Sequence, residues 1–423
     1  MDNTKRRVVL FGPGPQFKGG ISNYNTSLAK AMDALGIEVH IVSWTQQYPA
    51  IIPRDFIDRS SKNSLIEGTQ IQVHYLTNFN NPFTWSQTAK LIKKLKPEMA
   101  VFQWAIALQG LPMGWIARRL KKSGIEVVFD VHLVVQKESS SLDRFFSTYG
   151  LKTPDTFITH AYKTVDELKT TFPSTEFHIT EKGDRSKNRQ TVIKLYHPIY
   201  DMFKPDSNFD REAEKAKMGL KKHVFLYFGF IRKYKGLHQA IEAFEALRKE
   251  RDDVSFLIVG ESFWNTLDKN KWSTRLKSKL FQLAKKLVLK NADNEQDYNA
   301  FRAMEEREIP DVRVFNQFIP NEEVHRYFQV ADCIVLFYLT ATPSGVESLS
   351  YNFKLPVLAT RVGHFPETIH DGFNGYLAND RDIGDMTAAM RRFLENPIPS
   401  ENVAQTASMM SWENYAKTIL QIS

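Results

Sequence analysis

Three cations stand close together in the stretch Tyr227-Phe228-Gly229-Phe230-Ile231-Arg232-Lys233-Tyr234-Lys235-Gly236-Leu237. The planar fork of an arginine can grip two phosphate oxygens while a lysine supplies a point charge, so a glycine-flanked loop of this kind suits a diphosphate. A solvated basic loop is the competing reading. A second candidate lies further on, in ADCIVLFYLTATPSGVESLSYNFKLPVLATRVGHFPETIHDGFNGYL from Ala331 to Leu377. It combines two buried-strand patterns with a loop around Ser344-Gly345 that would aim backbone N–H groups at an anion. A third is Gly12-Pro13-Gly14-Pro15-Gln16-Phe17-Lys18-Gly19-Gly20. It does not match G-x-G-x-x-G and its prolines remove amide donors, so a dinucleotide fingerprint is unsupported. What remains is Gly19-Gly20-Ile21-Ser22, where backbone can approach a ligand closely, or a plain strand-to-helix turn with Ser22 as its N-cap.

Histidines mark three further strand ends. His132 closes the run Val127-Val128-Phe129-Asp130-Val131, His160 follows Phe157-Ile158-Thr159, and His197 precedes Pro198. Each reads either as a site residue or as a buried, hydrogen-bonded structural histidine. No His/Cys/Asp set has convincing metal-ligand spacing, and no bound metal is expected. The single cysteine, Cys333, sits in the apolar run CIVLF and reads as a small buried hydrophobe, so an internal disulfide is excluded.

These residues need rigid elements to carry them. At 423 residues with 42% hydrophobic content the chain can bury two cores. Val8 to Phe11, Val39 to Val42, Met99 to Phe102, Val127 to Phe129, Phe157 to Thr159 and Ile193 to Tyr196 read as strands separated by helical stretches. After the polar segment Asp206 to Lys222 the alternation restarts with Val224 to Phe228, Phe256 to Val259, Val312 to Val314, Cys333 to Phe337 and Val357-Leu358. Such alternation predicts α/β units with parallel sheets, here two doubly wound, Rossmann-like domains. The expected divisions are 1–205, 206–405 and a closing helix over 406–423 that crosses back to the first domain. Ligands bind such sheets at the carboxyl ends of the strands, so the site is expected between the domains.

A net charge of +8 favours anionic partners. No apolar run approaches the roughly 18 residues of a membrane span, and the start MDNTKRR-VVLFG is too short for a signal peptide, so a cytoplasmic protein is expected. Within an inserted segment over 263–308, apolar positions Trp272, Leu276, Leu280, Leu283 and Leu287 recur at helical spacing among lysines and arginines. This pattern reads as a solvated helix docked by its apolar stripe or as a helix lying on an anionic membrane. Basic clusters at Lys90, Lys93, Lys94, Lys96 and at Arg118, Arg119, Lys121, Lys122 add to a peripheral membrane reading. No nucleic-acid motif is present.

Gly19-Gly20-Ile21, FGFIRKYKGL, Tyr196-His197-Pro198-Ile199-Tyr200-Asp201 and TPSGVESLSYNFKLPVLATRVGHFPE together resemble glycosyltransferase family 4, the retaining GT-B enzymes, in order and spacing. The likeness runs from Val8 to about Leu394, and Ser411-Trp412-Glu413 resembles the start of the family's closing helix. The resemblance implies two domains facing a central cleft and transfer of a sugar, with retention, from a nucleotide diphosphate donor to an acceptor held by the first domain. It places Arg232 and Lys235 at the donor phosphates. Gly19, Gly20, Gly229, Thr342, Ser344, Gly345 and Val346 fall on its donor side, and His132 faces the donor sugar. It implies no metal or other cofactor, and the cations and backbone amides would stabilise the leaving phosphate.

Three positions depart from the family pattern. Where many members carry a pair of glutamates separated by seven residues, this chain has Ala341 and Leu349, whose side chains cannot accept a hydrogen bond. Glu347 is the one nearby carboxylate that could substitute as a donor ligand. Phe230 stands where many relatives have arginine. The expected function is a glycosyltransferase of polysaccharide or cell-envelope assembly acting on a glycan or lipid-linked acceptor. A catalytically silent GT-B partner subunit and a nucleotide-sugar epimerase are the alternatives.

Overall fold

The computed structural model describes residues 5–49, 57, 65–134, 141–261, 308–343 and 345–422. Nearly all of the basic segment over 263–308 and Ser344 lie outside these residues. The chain divides into two compact units, the first ending at Tyr196 and resuming at Ser411, the second running from His197 to Met410. The division falls ahead of the 205/206 boundary read from the sequence. His197 to Phe203 packs with the second unit: the Ile199 N–H donates to Met410 O at 2.9 Å and Asn352 Nδ2 donates to Phe203 O at 2.7 Å.

The first unit is built on an eight-stranded sheet. Its strands are β1 (Arg7–Phe11), β2 (Glu38–Gln46), β3 (Gln72–Asn78), β4 (Met99–Trp104), β5 (Glu126–Val131), β6 (Thr156–Thr159), β7 (Phe177–Thr180) and β8 (Gln190–Lys194). They lie in the order β3-β2-β1-β4-β5-β6-β8-β7, and every pairing is parallel. Val8 to Phe11 is buried without alternation, as expected for a strand covered by helices on both faces. Phe11, Phe102 and Phe129 sit in register on neighbouring strands with ring centroids 4.9 and 5.1 Å apart, forming an aromatic row through the core. The helix Gly20–Ala34 starts at Gly19 rather than at Ser22, whose hydroxyl instead donates to Gly14 O at 2.7 Å.

The second unit carries six parallel strands, β9 (His223–Phe228), β10 (Val254–Val259), β11 (Val312–Phe315), β12 (Cys333–Leu336), β13 (Val357–Thr360) and β14 (Gly375–Ala378). Their order is β11-β10-β9-β12-β13-β14, so the strand order reverses between β9 and β12. Such a switch point leaves the loops after two adjacent strands splayed apart, where a ligand fits. Those loops are 229–236 and 337–344, the two cation and anion-loop candidates of the sequence. Both sheets confirm the α/β, doubly wound expectation. Cys333 is buried in β12, and burial pushes its thiol well above the ordinary range.

Strands β3, β7 and β14 were not anticipated. β3 and β7 are edge strands with half-exposed, polar sequences, QVHYLTN and FHIT, and β14 opens on a glycine. The helices Gly110–Lys121 and Ser141–Leu151 pack at glycines: a Cβ on Gly110 would lie 2.3 Å from Phe146 O, and one on Gly150 would lie 2.5 Å from the Trp104 ring. Because a backbone carbonyl cannot step aside as a side chain can, Gly110→Ala should destabilise the protein by about 1–3 kcal/mol. Chemical denaturation of the variant measures this directly, and an unchanged midpoint would contradict the packing.

Candidate active site

In the second unit the site is set by backbone contacts that only glycine permits. A Cβ on Gly260 would lie 2.0 Å from Gly229 O, and one on Gly236 would lie 1.9 Å from Phe337 O. Gly229 and Gly236 have φ of 100° and 61°, in the region L side chains seldom adopt. The short turn Lys233–Lys235 is therefore pressed onto the chain leaving β12, an arrangement sealed by the Leu339 N–H donating to Tyr234 O at 2.7 Å.

This arrangement buries Lys235. Its side chain is 8% exposed, and among the described residues no carboxylate pairs with it. The ammonium lies 5.6 Å from the centroid of the Tyr338 ring. Burial, helped by the charge of Arg232, brings its pKa from 10.5 down to about 8. Arg232 itself is half-buried beside it. A Cβ built on Gly229 would stand 3.0 Å from Lys235 Nζ and 3.5 Å from Val346 Cγ2. Gly229 thus brings the two sequence candidates together, with Lys235 on one side and the first turn of the helix Gly345–Asn352 on the other. A desolvated cation beside a helix N-terminus is an arrangement that attracts an anion.

That helix is held firmly. Gly345 abuts the buried Tyr200, whose ring would stand 2.7 Å from a Cβ at 345, and Ser348 Oγ lies 2.8 Å from His197 Nδ1. Glu347, 4% exposed, accepts from His364 Nε2 at 2.6 Å, from Tyr351 OH at 3.2 Å and from the Thr368 hydroxyl. Ala341 and Leu349 are buried apolar residues, Thr342 is half-buried, and Phe230 is 41% exposed.

The first unit holds a separate cluster. His132 follows β5, its N–H donating to Trp104 O at 2.9 Å, and its Nε2 lies 2.8 Å from Gln103 Oε1. Tyr24 meets the His132 ring edge-on, with centroids 4.7 Å apart. Beneath lies a fully buried network. His160 Nε2 is 3.2 Å from Asp130 Oδ1 and 3.0 Å from the hydroxyls of both Tyr24 and Tyr415. Tyr24 donates to Tyr415 at 2.7 Å, and Tyr415 donates to Asp130 Oδ2 at 3.2 Å. Burial opposes ionisation of Asp130, but the charge and hydrogen bond of His160 outweigh it and hold the carboxyl below its ordinary value. Burial also lowers His132 to about 4, with Asp130 opposing and His160 assisting, so at neutral pH its imidazole is uncharged.

Asp130, His132 and His160 offer ligand atoms within 4.8 Å of one another, a set that spacing along the chain concealed. It forms because β5 and β6 are neighbours and each delivers its histidine at the same edge. Tyr24 and Tyr415 already engage His160, and Tyr415 engages Asp130, so these residues form a hydrogen-bond network without an ion. At the entrance to the first helix, Gly19 has φ of 104° and open space where a Cβ would be, and Gly20 begins the helix. Sequence reasoning missed Tyr24, Gln103, Asp130 and Tyr415; no local signal marks them, since they meet only through the fold.

A family model described as glycosyl transferases group 1 matches residues 208–410, and one described as glycosyltransferase family 4 matches residues 18–181. Spore coat protein SA of Bacillus subtilis is 21% identical over 54% of this chain and 55% of its own length. The lipopolysaccharide 1,2-N-acetylglucosaminetransferase of Salmonella typhimurium is 23% identical over 46% of each chain. The chain thus spans about half the length of these curated relatives. Among solved structures, Anabaena HepE in complex with UDP and glucose superposes with a TM-score of 0.61 at 13% identity, over 98% of this chain and 97% of that one. That likeness is one of fold. The two family matches cover most of both units, and the chain belongs to glycosyltransferase family 4, with the GT-B type of fold.

Proposed function

We propose that this protein is a retaining, metal-independent glycosyltransferase that moves a sugar from a nucleotide diphosphate donor to a glycan or lipid-linked acceptor in polysaccharide or cell-envelope assembly. The observation that carries the reading is the buried ammonium of Lys235, set beside Gly229 and Val346 with no carboxylate from the described residues to neutralise it. A protein keeps a desolvated, unpaired cation at a cost, and a diphosphate is the partner that offsets it. Relatives named for transfer to lipopolysaccharide and a neighbour solved with UDP and glucose support the chemistry and the substrate class.

In this reading Arg232 and Lys235 take the charge that builds on the departing phosphate, together with the amides of Gly345 and Val346. Ser344 and Thr342 complete the loop on the donor side. The bond from the anomeric carbon to the phosphate oxygen breaks with its electron pair going to that oxygen. The acceptor hydroxyl attacks on the same face and passes its proton to the leaving phosphate, which gives retention without a protein nucleophile. In the first unit, His132, neutral and hydrogen-bonded to Gln103, and the backbone at Gly19 and Gly20 are the groups assigned to sugar recognition.

Among the described residues no helix is long and apolar enough to cross a membrane. Peripheral contact with an anionic surface rests on the exposed Lys90, Lys94, Lys96 and Lys122. Arg118 and Arg119, by contrast, lie over the Tyr149 and Trp115 rings at 3.6 and 3.1 Å, and Lys121 pairs with Asp155 at 2.8 Å, so all three are already engaged.

Thermal denaturation with UDP-, GDP- and dTDP-sugars tests the donor class: one of them should raise the melting temperature in proportion to the logarithm of its concentration. If none does, the reading fails. Donor affinity should be level below pH 8 and fall as the pH rises through about 8, approaching tenfold per unit, because Lys235 loses its proton there. Lys235→Arg should abolish that fall, since arginine stays charged.

The same group affects stability in the opposite sense. A lysine displaced from 10.5 to about 8 costs the folded state on the order of 3 kcal/mol below pH 8, relieved as the pH rises from 8 to 10.5. Lys235→Met should therefore melt higher than the parent at pH 7 while losing donor affinity. A variant that melts lower and still binds donor would contradict the assignment.

A further inference from the structure

The carboxylate of Glu347 accepts three hydrogen bonds inside the second unit. Two of its three donors, His364 and Thr368, belong to the segment that follows β13, and the third, Tyr351, lies one turn further along its own helix. All are buried: His364 is 2% exposed, Thr368 6% and Tyr351 0%. A carboxylate oxygen can only accept here, so the imidazole presents its Nε2–H to it. The same segment meets the chain on the near side of the anion loop, where a Cβ on Gly363, whose φ is 62°, would lie 2.1 Å from Ala341 O. The segment 361–368 therefore grips the loop at both ends, at Ala341 through backbone contact and at Glu347 through hydrogen bonds from His364 and Thr368. Val346, whose side chain borders Gly229, is the residue immediately before Glu347.

We infer that Glu347 is a positioning residue for diphosphate binding: bonded to His364 and Thr368, it fixes the first turn of the helix Gly345–Asn352 beside Lys235, and it does not itself touch the nucleotide. This rests on the diphosphate reading above and assigns the residue a role other than that of a ribose ligand. A direct ligand would be open to the donor, whereas Glu347 is 4% exposed and both of its oxygens are engaged from within the unit. Here Oε1 serves Thr368 and Tyr351, and Oε2 serves His364.

Calorimetric titration of the full chain with UDP and, separately, with inorganic diphosphate separates the roles. Glu347→Gln should weaken both ligands by the same factor, about tenfold, because what is displaced is the phosphate seat. His364→Gln and Thr368→Val, which leave the carboxylate in place, should each weaken both ligands in the same way. The double variant Glu347→Gln with His364→Gln should be no worse than the more affected single variant, a non-additivity that loss of general stability does not produce. The inference is overturned if Glu347→Gln weakens UDP but leaves inorganic diphosphate unchanged, since the residue then touches the nucleoside. It is also overturned if His364→Gln and Thr368→Val bind both ligands as the parent does. Should Glu347→Gln fail to fold, those two variants decide the matter alone. Parent protein that binds neither ligand refutes the diphosphate reading itself, whereas parent binding abolished by Lys235→Ala upholds that reading whatever Glu347 does.

Discussion

Desolvation of one ammonium group shapes the second unit. Lys235 is buried because Gly236 lets its turn lie against the Phe337 carbonyl, and Gly229 leaves room for its Nζ beside Val346. Gly260 in turn lets the end of β10 close behind Gly229. Each of these contacts is a backbone approach that a single methyl group would prevent. The strand reversal between β9 and β12 supplies the gap, and the glycines decide how tightly the cation is set into it.

The first unit solves a related problem differently. There Asp130, His160, Tyr24 and Tyr415 bond to one another. Buried polar groups linked in this way strengthen one another in a low-dielectric interior, and this set adjoins His132. The second unit's buried ammonium has no carboxylate partner among the described residues, whereas the first unit's buried carboxylate has a histidine and a tyrosine beside it.

The central strands were legible because parallel strands covered on both faces read as unbroken apolar runs, as in VVLF and CIVLF. The edge strands β3 and β7 were not, since they are half-exposed and carry polar residues. Arg232, Lys235 and Gly345 stood out by type and by position after a strand, and the fold confirms the strand ends that deliver them. Their convergence through Gly229 was invisible, as was the Tyr24–Tyr415 contact between residues 391 apart in the chain. Glu347 shows the limit most clearly: the sequence offered it only as a substitute donor ligand, and the side chains that occupy it, His364 and Thr368, lie 17 and 21 residues further along.

The helix Trp412–Leu420 belongs to the first unit although the whole second unit precedes it in the chain. Its Trp412 and Tyr415 rings pack edge-on against Tyr24, at 4.9 and 6.2 Å. On the ribosome, strands β1 to β8 emerge long before these residues exist. During that interval Asp130 and His160 lack the tyrosine that closes their network. The first unit therefore reaches its final form only after the whole of the second has been synthesised.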